Sequence, residues 1–214
     1  MPPREDHRDA FISSRYASLG EIPPGGRLGT GSLQRRVQLL HHRPDLEVVA
    51  IRGNVDTRLK KLETLGLDAL ILAAAGLNRL GLSHVYRSLL SEDEMLPAVA
   101  QGALGLEVRS GDRRVRELVA FLDHPPSRIA VTGERAFLAR LEGGCVVPVA
   151  ALGRLKGDSL TLEALISDLE GQRFLRDRIS GQVADAAFLG TELANRLLDQ
   201  GGREILAELC AYSL

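Results

Sequence analysis

The sequence predicts an α/β protein: a parallel-sheet unit followed by a smaller α+β unit. Three observations carry this. Between residues 27 and 109, short apolar or β-branched runs alternate with helical stripes, the signature of strands joined by helical crossovers. Two Gly-containing turns, Gly29-Thr30-Gly31-Ser32 and Arg52-Gly53-Asn54, each follow a strand and open a helix. Beyond residue 145 the pattern changes to two alternating runs joined at Lys156-Gly157-Asp158, then to helices. At 214 residues the chain can hold one large core or two smaller ones.

In chain order, Leu33, Val37, Leu39 and Leu40 form the first helical stripe, which must stop before Pro44 because the residue preceding a proline avoids the α region. Leu46 to Ile51 reads as a strand, and Val55, Leu59, Leu62 and Leu65 as the next helix face. Asp68 to Ala73 is a nearly continuous apolar strand, as expected with helices on both faces of a sheet. Leu96 to Gly102 is a small-residue crossing segment leading to a strand at Leu104 to Val108, and Arg113 to Leu122 is an amphipathic helix. After a break at Pro125-Pro126 a helix is expected from about Arg128 to Leu141, stopped by Gly143-Gly144. Val146 to Leu155 and Ser159 to Ile166 make a hairpin, with a third strand at Phe174 to Ile179. Helices follow at Ala184 to Leu198 and Glu204 to Ala211.

A net charge of −1 gives no field to draw the molecule to nucleic acid or an anionic membrane, and no apolar run is long enough to span a bilayer. The first residues carry no secretory pattern and two cysteines make no disulfide framework, so a cytoplasmic location is expected. Of 27 basic residues only Lys60, Lys61 and Lys156 are lysines. Eight basic residues between Arg27 and Lys61 face only Asp45, Glu47 and Asp56, a local net charge of +5. A guanidinium is a planar fork of donors suited to carboxylate or phosphate.

The candidate chemistry follows from placement. Backbone N–H groups at a helix start bind anions, and Arg35, Arg36, Arg52 and Arg58 surround the two turns. Either turn alone is explained by geometry; both together, flanked by Arg, favour a site for several acidic groups. Arg79 lies just beyond the third apolar strand, at the edge where open α/β sheets gather ligands, or is a surface residue. Cys145 sits between Gly143-Gly144 and Pro148, so a nucleophile or attachment point competes with a buried thiol. Cys210, after Leu206 and Leu209 on a helix, reads as a buried small hydrophobe. His41-His42 reads as a solvated helix end, and no zinc spacing, P-loop or dinucleotide fingerprint is present.

Five blocks in one order resemble the porphobilinogen deaminase (hydroxymethylbilane synthase) family: Gly29 to Arg36, Arg52 to Leu59, Leu72 to Leu82, Leu96 to Ala103, and Leu141 to Cys145. The resemblance implies three domains. The first two are built like a periplasmic binding protein, and the third is a small α+β unit with a cysteine-bearing loop. It implies a transferase of porphyrin, tetrapyrrole and heme biosynthesis that joins four porphobilinogen molecules with loss of ammonia. A dipyrromethane cofactor primes the reaction, and by resemblance its thioether is to Cys145. Pyrroles with acetate and propionate arms make a growing polyanion. Ser32, Arg35, Arg52, Arg58 and Arg79 match the family's binding positions.

The resemblance also sets expectations for organisation. Residues 1–7 are a remnant of the first domain, 8–97 the second, carboxylate-binding domain, 98–124 a segment returning to the first, and 125–214 the C-terminal domain. Gln34 stands where the family has the first of two successive Arg. The family's His-Ser-x-Lys-Asp segment, with its catalytic Asp, has no match, so no catalytic residue is assigned here and the chain alone is expected to be weak or inactive. The partners expected are porphobilinogen and its oligomers, with no nucleic acid and no membrane, for a monomer. The alternative is a non-catalytic or split-enzyme fragment that binds polycarboxylate pyrroles but needs a separate N-terminal piece.

Overall fold

The computed structural model describes residues 1–141 and 147–212. Its first sheet has five strands: β1 (Asp9–Ile12), β2 (Arg27–Thr30), β3 (Glu47–Ala50), β4 (Ala69–Ala73) and β5 (Ser88–Leu89). Their order is β3-β2-β4-β1-β5. β2 pairs parallel with β3 and β4, each strand leading to a helix: α1 (Leu33–His42), α2 (Val55–Thr64) and α3 (Ala74–Arg79). Alternate residues serve the two faces. Leu28, Ala69 and Ile71 pack with Leu39 of α1, whereas Leu70 and Leu72 pack with Leu77 of α3 and with Val55, Leu59 and Leu62 of α2.

The expectation of a largely parallel sheet needs correction. β1, which the sequence reading did not foresee, lies between β4 and β5 and runs antiparallel to both. All four of its residues are buried, so it lacks the alternation that reveals a half-exposed strand. The strand expected at Leu104 to Val108 does not form: residues 103–109 have no regular secondary structure. A strand needs a neighbour for its backbone groups, and none among the described residues pairs with this segment. Leu104 and Leu106 stay exposed, as do Leu118 in α4 (Arg113–Val119) and Phe121 in the 3₁₀ turn Ala120–Leu122.

The second sheet is antiparallel, β6 (Val149–Lys156), β7 (Ser159–Ser167) and β8 (Phe174–Gln182) in that order. The β6–β7 hairpin pairs Lys156 with Ser159 across Gly157-Asp158. α5 (Pro125–Arg140) and α6 (Ala186–Leu197) cover one face, with Phe137, Leu189 and Leu193 packed on Leu160, Leu162 and Ile166. The helices approach closely: a Cβ on Gly190 would meet the Gly133 carbonyl oxygen at 2.1 Å. α5 starts at Pro125, not at Arg128, because prolines in a first turn lack only an N–H that has no intrahelical partner. The stop expected at Gly143-Gly144 and the Val146 end of the first hairpin strand lie outside the described residues. α7 (Arg203–Tyr212) completes the fold, and Cys210 is exposed on it rather than buried, pointing away from the side that buries Leu209 and Ile205. No helix among the described residues is long and apolar enough to cross a membrane.

The two sheets are joined by polar contacts that fix the site's geometry. Glu134 of α5 is fully buried and accepts from Arg4 Nη1 at 2.5 Å, Ala100 N at 2.7 Å and Gly153 N at 2.8 Å. Glu92 accepts from His7 and from Arg154 of β6, which also reaches Glu163 of β7. Burial alone would raise the Glu92 pKa, but the hydrogen bonds from Arg154 and His7 hold it below the ordinary carboxylate value. His41 and His42 end α1 exposed, as expected, and the His41 ring also stacks on Phe174 of β8 with centroids 4.0 Å apart.

Candidate anion site at the sheet edge

The parallel strands β2, β3 and β4 all deliver their following helices to one edge of the sheet. The two turns at β2 and β3 are immediate neighbours. Ile51 N donates to the Thr30 carbonyl at 3.2 Å, and a Cβ on Gly31 would lie 2.3 Å from the Ile51 carbonyl oxygen. Only glycine allows that approach. At the second turn the Asn54 side chain caps α2, accepting from Thr57 N at 2.9 Å. At the first, Ser32 precedes α1 without capping it through its hydroxyl, and its N–H donates to Thr30 Oγ1 at 3.3 Å.

A cavity of about 470 Å³ opens where the turns meet the second sheet. Ser32 and Gln34 line it from the first turn and Arg58 from α2; Val99, Leu138, Val147 and Val149 supply an apolar wall. Arg58 is half-buried and its Nε donates to the Gly53 carbonyl at 2.7 Å, which anchors the side chain beside the turn. Gln34 is buried and its Nε2 has no partner. No described residue lining the cavity is acidic. The arrangement is a half-apolar slot with one cation and neutral donors at one end, suited to a flat organic anion. Cys145 lies outside the described residues; in sequence it stands two residues from Val147.

The remaining candidates are placed differently. Arg52 is exposed, and its carbonyl accepts from Lys61 Nζ at 2.9 Å. Arg79 is exposed at the end of α3 and donates to the Gly102 carbonyl at 2.7 Å. Beside it Glu5 takes a hydrogen bond from Asn78; the Asp6 backbone N–H, then Asn78, lower the Glu5 pKa. Arg35 is buried, with Nη2 at 2.9 Å from Asp9 Oδ1 and 3.0 Å from Gln101 Oε1. Arg36 turns to Glu170 on the second sheet's β7–β8 loop. The structure thus brings Ser32 and Arg58 together, sets Arg52 and Arg79 on the same sheet edge, and holds Arg35 inward.

Sequence reasoning missed Asp9, Gln38, Gln101 and Glu134. Gln38 clamps the crossing segment, its Nε2 donating to the Leu96 carbonyl at 2.9 Å and its Oε1 accepting from Leu96 N at 2.7 Å. Gln101 donates to the His7 carbonyl and to Asp9. The Gln38–Leu96 contact spans 58 residues and those of Gln101 with His7 and Asp9 span 94 and 92, so no local pattern announces them.

Such a chain is defined first as an α/β protein with a candidate binding cavity at the ends of parallel strands, joined to a three-stranded antiparallel unit. Comparison with known proteins then fixes the family. Residues 1–117 match the family model described as porphobilinogen deaminase, dipyromethane cofactor binding domain, and residues 128–199 match porphobilinogen deaminase, C-terminal domain. The chain belongs to the porphobilinogen deaminase family. Among its relatives, porphobilinogen deaminase of Trichlorobacter lovleyi is 55% identical over 206 residues, 96% of this chain and 66% of that protein. That of Geobacter sulfurreducens is 53% identical over 96% of this chain and 64% of its own length. That of Nitratidesulfovibrio vulgaris is 49% identical over 99% of this chain and 67% of its own length. The chain therefore spans about two thirds of the length of these curated relatives.

Proposed function

We propose that the protein works as a hydroxymethylbilane synthase, joining four porphobilinogen units with release of one ammonia at each step. The observation that carries this reading is the shared cavity. Ser32 and Arg58, from two different turns, face the same space as Val147, two residues along the chain from Cys145. A dipyrromethane held by a thioether at Cys145 fits this cavity: the apolar wall accommodates pyrrole faces, while Arg58 and the partnerless Gln34 amide meet acidic arms. When bound, that group supplies the pyrrole carbon from which the chain of rings is extended.

The protein's own part is to bind and orient. Arg58 pairs with an arm inside the cavity, and the Ser32 hydroxyl adds a neutral donor. Arg52 and Arg79, exposed on the same sheet edge, receive arms of further rings as the oligomer lengthens. Arg35 acts at shorter range. Its charge is already matched by Asp9, so an incoming arm would exchange with that partner or use the Nε edge, which has no partner. No residue of this chain is assigned the acid/base role. In the finer fold reading, residues 8–97 form the second domain of a pair built like a periplasmic binding protein, and 1–7 and 98–124 belong with the first. Residues 125–214 are the cofactor-bearing domain, and the molecule acts as a monomer in the cytoplasm.

The test is ammonia release from porphobilinogen by the complete protein and by its Arg52→Ala and Arg58→Ala variants. Both variants are expected to stall elongation, because each leaves a substrate carboxylate unpaired. Unchanged turnover in both would make these arginines surface residues and overturn the assignment.

A further inference from the structure

The two walls of the cavity belong to different units. Ser32 and Gln34 stand at the start of α1, whereas Val147 and Val149 lead into and open β6. Their spacing depends on how the second unit grips α1, and the β7–β8 loop, residues 168–173, takes hold of that helix along its middle and end. The loop has an internal frame that the helix does not supply: the Asp168 carboxylate accepts from the backbone N–H groups of Glu170, Gln172 and Arg173 at 3.2, 3.0 and 3.0 Å. Gly171 is buried in left-handed backbone, φ 69°, and a Cβ there would lie 2.5 Å from the Val37 carbonyl oxygen and 3.0 Å from His41 N. Only glycine permits that approach. The Gly171 carbonyl accepts from His41 Nδ1 at 3.1 Å. Arg36 donates through Nε to the Leu169 carbonyl at 3.3 Å and through Nη2 to the Glu170 carboxylate at 3.1 Å. None of these loop and helix residues lines the cavity.

We propose that Gly171 is a positioning residue for chain elongation: its close approach to Val37 sets where α1 stands against the unit that bears Cys145, and so the width of the cavity between them. The inference rests on the synthase reading. Helix α1 transmits the position. At about 1.5 Å of rise per residue, Val37 lies only about 4.5 Å along the axis from Gln34, and a hydrogen-bonded helix moves as one body over that span. Ordinary contact for a Cβ begins at 3.4 Å, so a methyl group at position 171 must drive the loop and the Val37 carbonyl apart by about 0.9 Å. A misplacement of about 1 Å between reacting groups can cost about a hundredfold in rate. The tether and the groups that meet acidic arms stand on opposite walls, so the shift falls on the geometry of ring addition.

The experiment uses the complete protein and reads kcat for ammonia release from porphobilinogen per folded, cofactor-loaded molecule, with loading taken from intact mass. Gly171→Ala is expected to keep the dipyrromethane and to lower that kcat by about tenfold to a hundredfold, with KM less affected and bound intermediates accumulating at short lengths. Amide exchange along α1 should quicken. The control is Gly157→Ala in the β6–β7 turn. Its φ of 58° imposes a similar backbone strain, yet nothing lies within 4 Å of its Cβ position. Stability should fall there while kcat per loaded molecule and exchange along α1 keep their unmodified values. Should Gly171→Ala fail to fold, Arg36→Met decides, at a half-buried position on the same contact. It should lower kcat severalfold, and Arg36→Lys should restore most of the loss. A kcat per loaded molecule unchanged in Gly171→Ala, or lowered equally in Gly157→Ala, would overturn the positioning role and leave the synthase reading standing. An unmodified protein that carries no dipyrromethane and releases no ammonia would overturn both.

Discussion

Replacing Glu134 by alanine should be among the most damaging single changes in the molecule. The carboxylate is fully buried and accepts four hydrogen bonds: two from Arg4, at 2.5 and 3.2 Å, one from Ala100 N and one from Gly153 N. Glu134→Ala strips all four, leaving a guanidinium whose side chain is 9% exposed with only its bond to the Gln101 carbonyl, and two amides unpaired. Breaking a buried ion pair by removing one partner costs about 3–5 kcal/mol. For a chain of this size each kcal/mol shifts the melting temperature by about 2–4 °C, so a drop of about 6–20 °C is expected. Urea unfolding followed by circular dichroism is the assay, with Arg4→Ala as the companion. Arg4→Ala should lose less, because Glu134 keeps its two amide donors. A loss below about 1 kcal/mol for Glu134→Ala would refute the reasoning, since it would mean that water reaches the site freely.

Two further outcomes follow from the same geometry. Gly31→Ala would drive a Cβ to 2.3 Å from the Ile51 carbonyl oxygen, so the two turns must separate. Loss of both stability and porphobilinogen binding is expected, and a wild-type melting curve with unchanged affinity would count against the close approach. Glu92 binds its proton less readily when folded than when unfolded, so its contribution is present above the unfolded value near 4.5 and is lost as pH falls through the lower folded value. Acid titration should therefore weaken the junction between the sheets in that range, and Glu92→Gln should remove this part of the pH dependence. A variant retaining the full acid response would place its origin elsewhere.

The parallel half of the first sheet and the second unit's hairpin were legible because their apolar periods match their structures. Leu46 to Ile51 and Asp68 to Ala73 are runs that only strands explain at that length, and the Gly-containing turns mark where helices begin. β1 was not legible: four buried residues opening with an aspartate look like neither a strand nor a core segment until Arg35 is seen to neutralise Asp9. Leu104 to Val108 shows the converse, a run with strand chemistry and no neighbour to complete it. At the site, residue type and spacing singled out Ser32 and Arg58, and their common cavity needed the structure. The inward turn of Arg35 and the clamp of Gln38 on the crossing segment depend on Asp9, Gln101 and Leu96, contacts that are long-range in sequence and invisible to any local reading.

The account's central claim, a ligand with acidic pyrrole arms tethered at Cys145 and gripped from the two turns, is tested most directly by intact mass spectrometry. The protein is purified from cells that make porphobilinogen. The unmodified protein should carry the mass increment of one dipyrromethane and give the colour reaction of a dipyrrole with an aldehyde reagent, and Cys145→Ser should lose both. An increment that survives in Cys145→Ser, or its absence from the unmodified protein, would contradict the account.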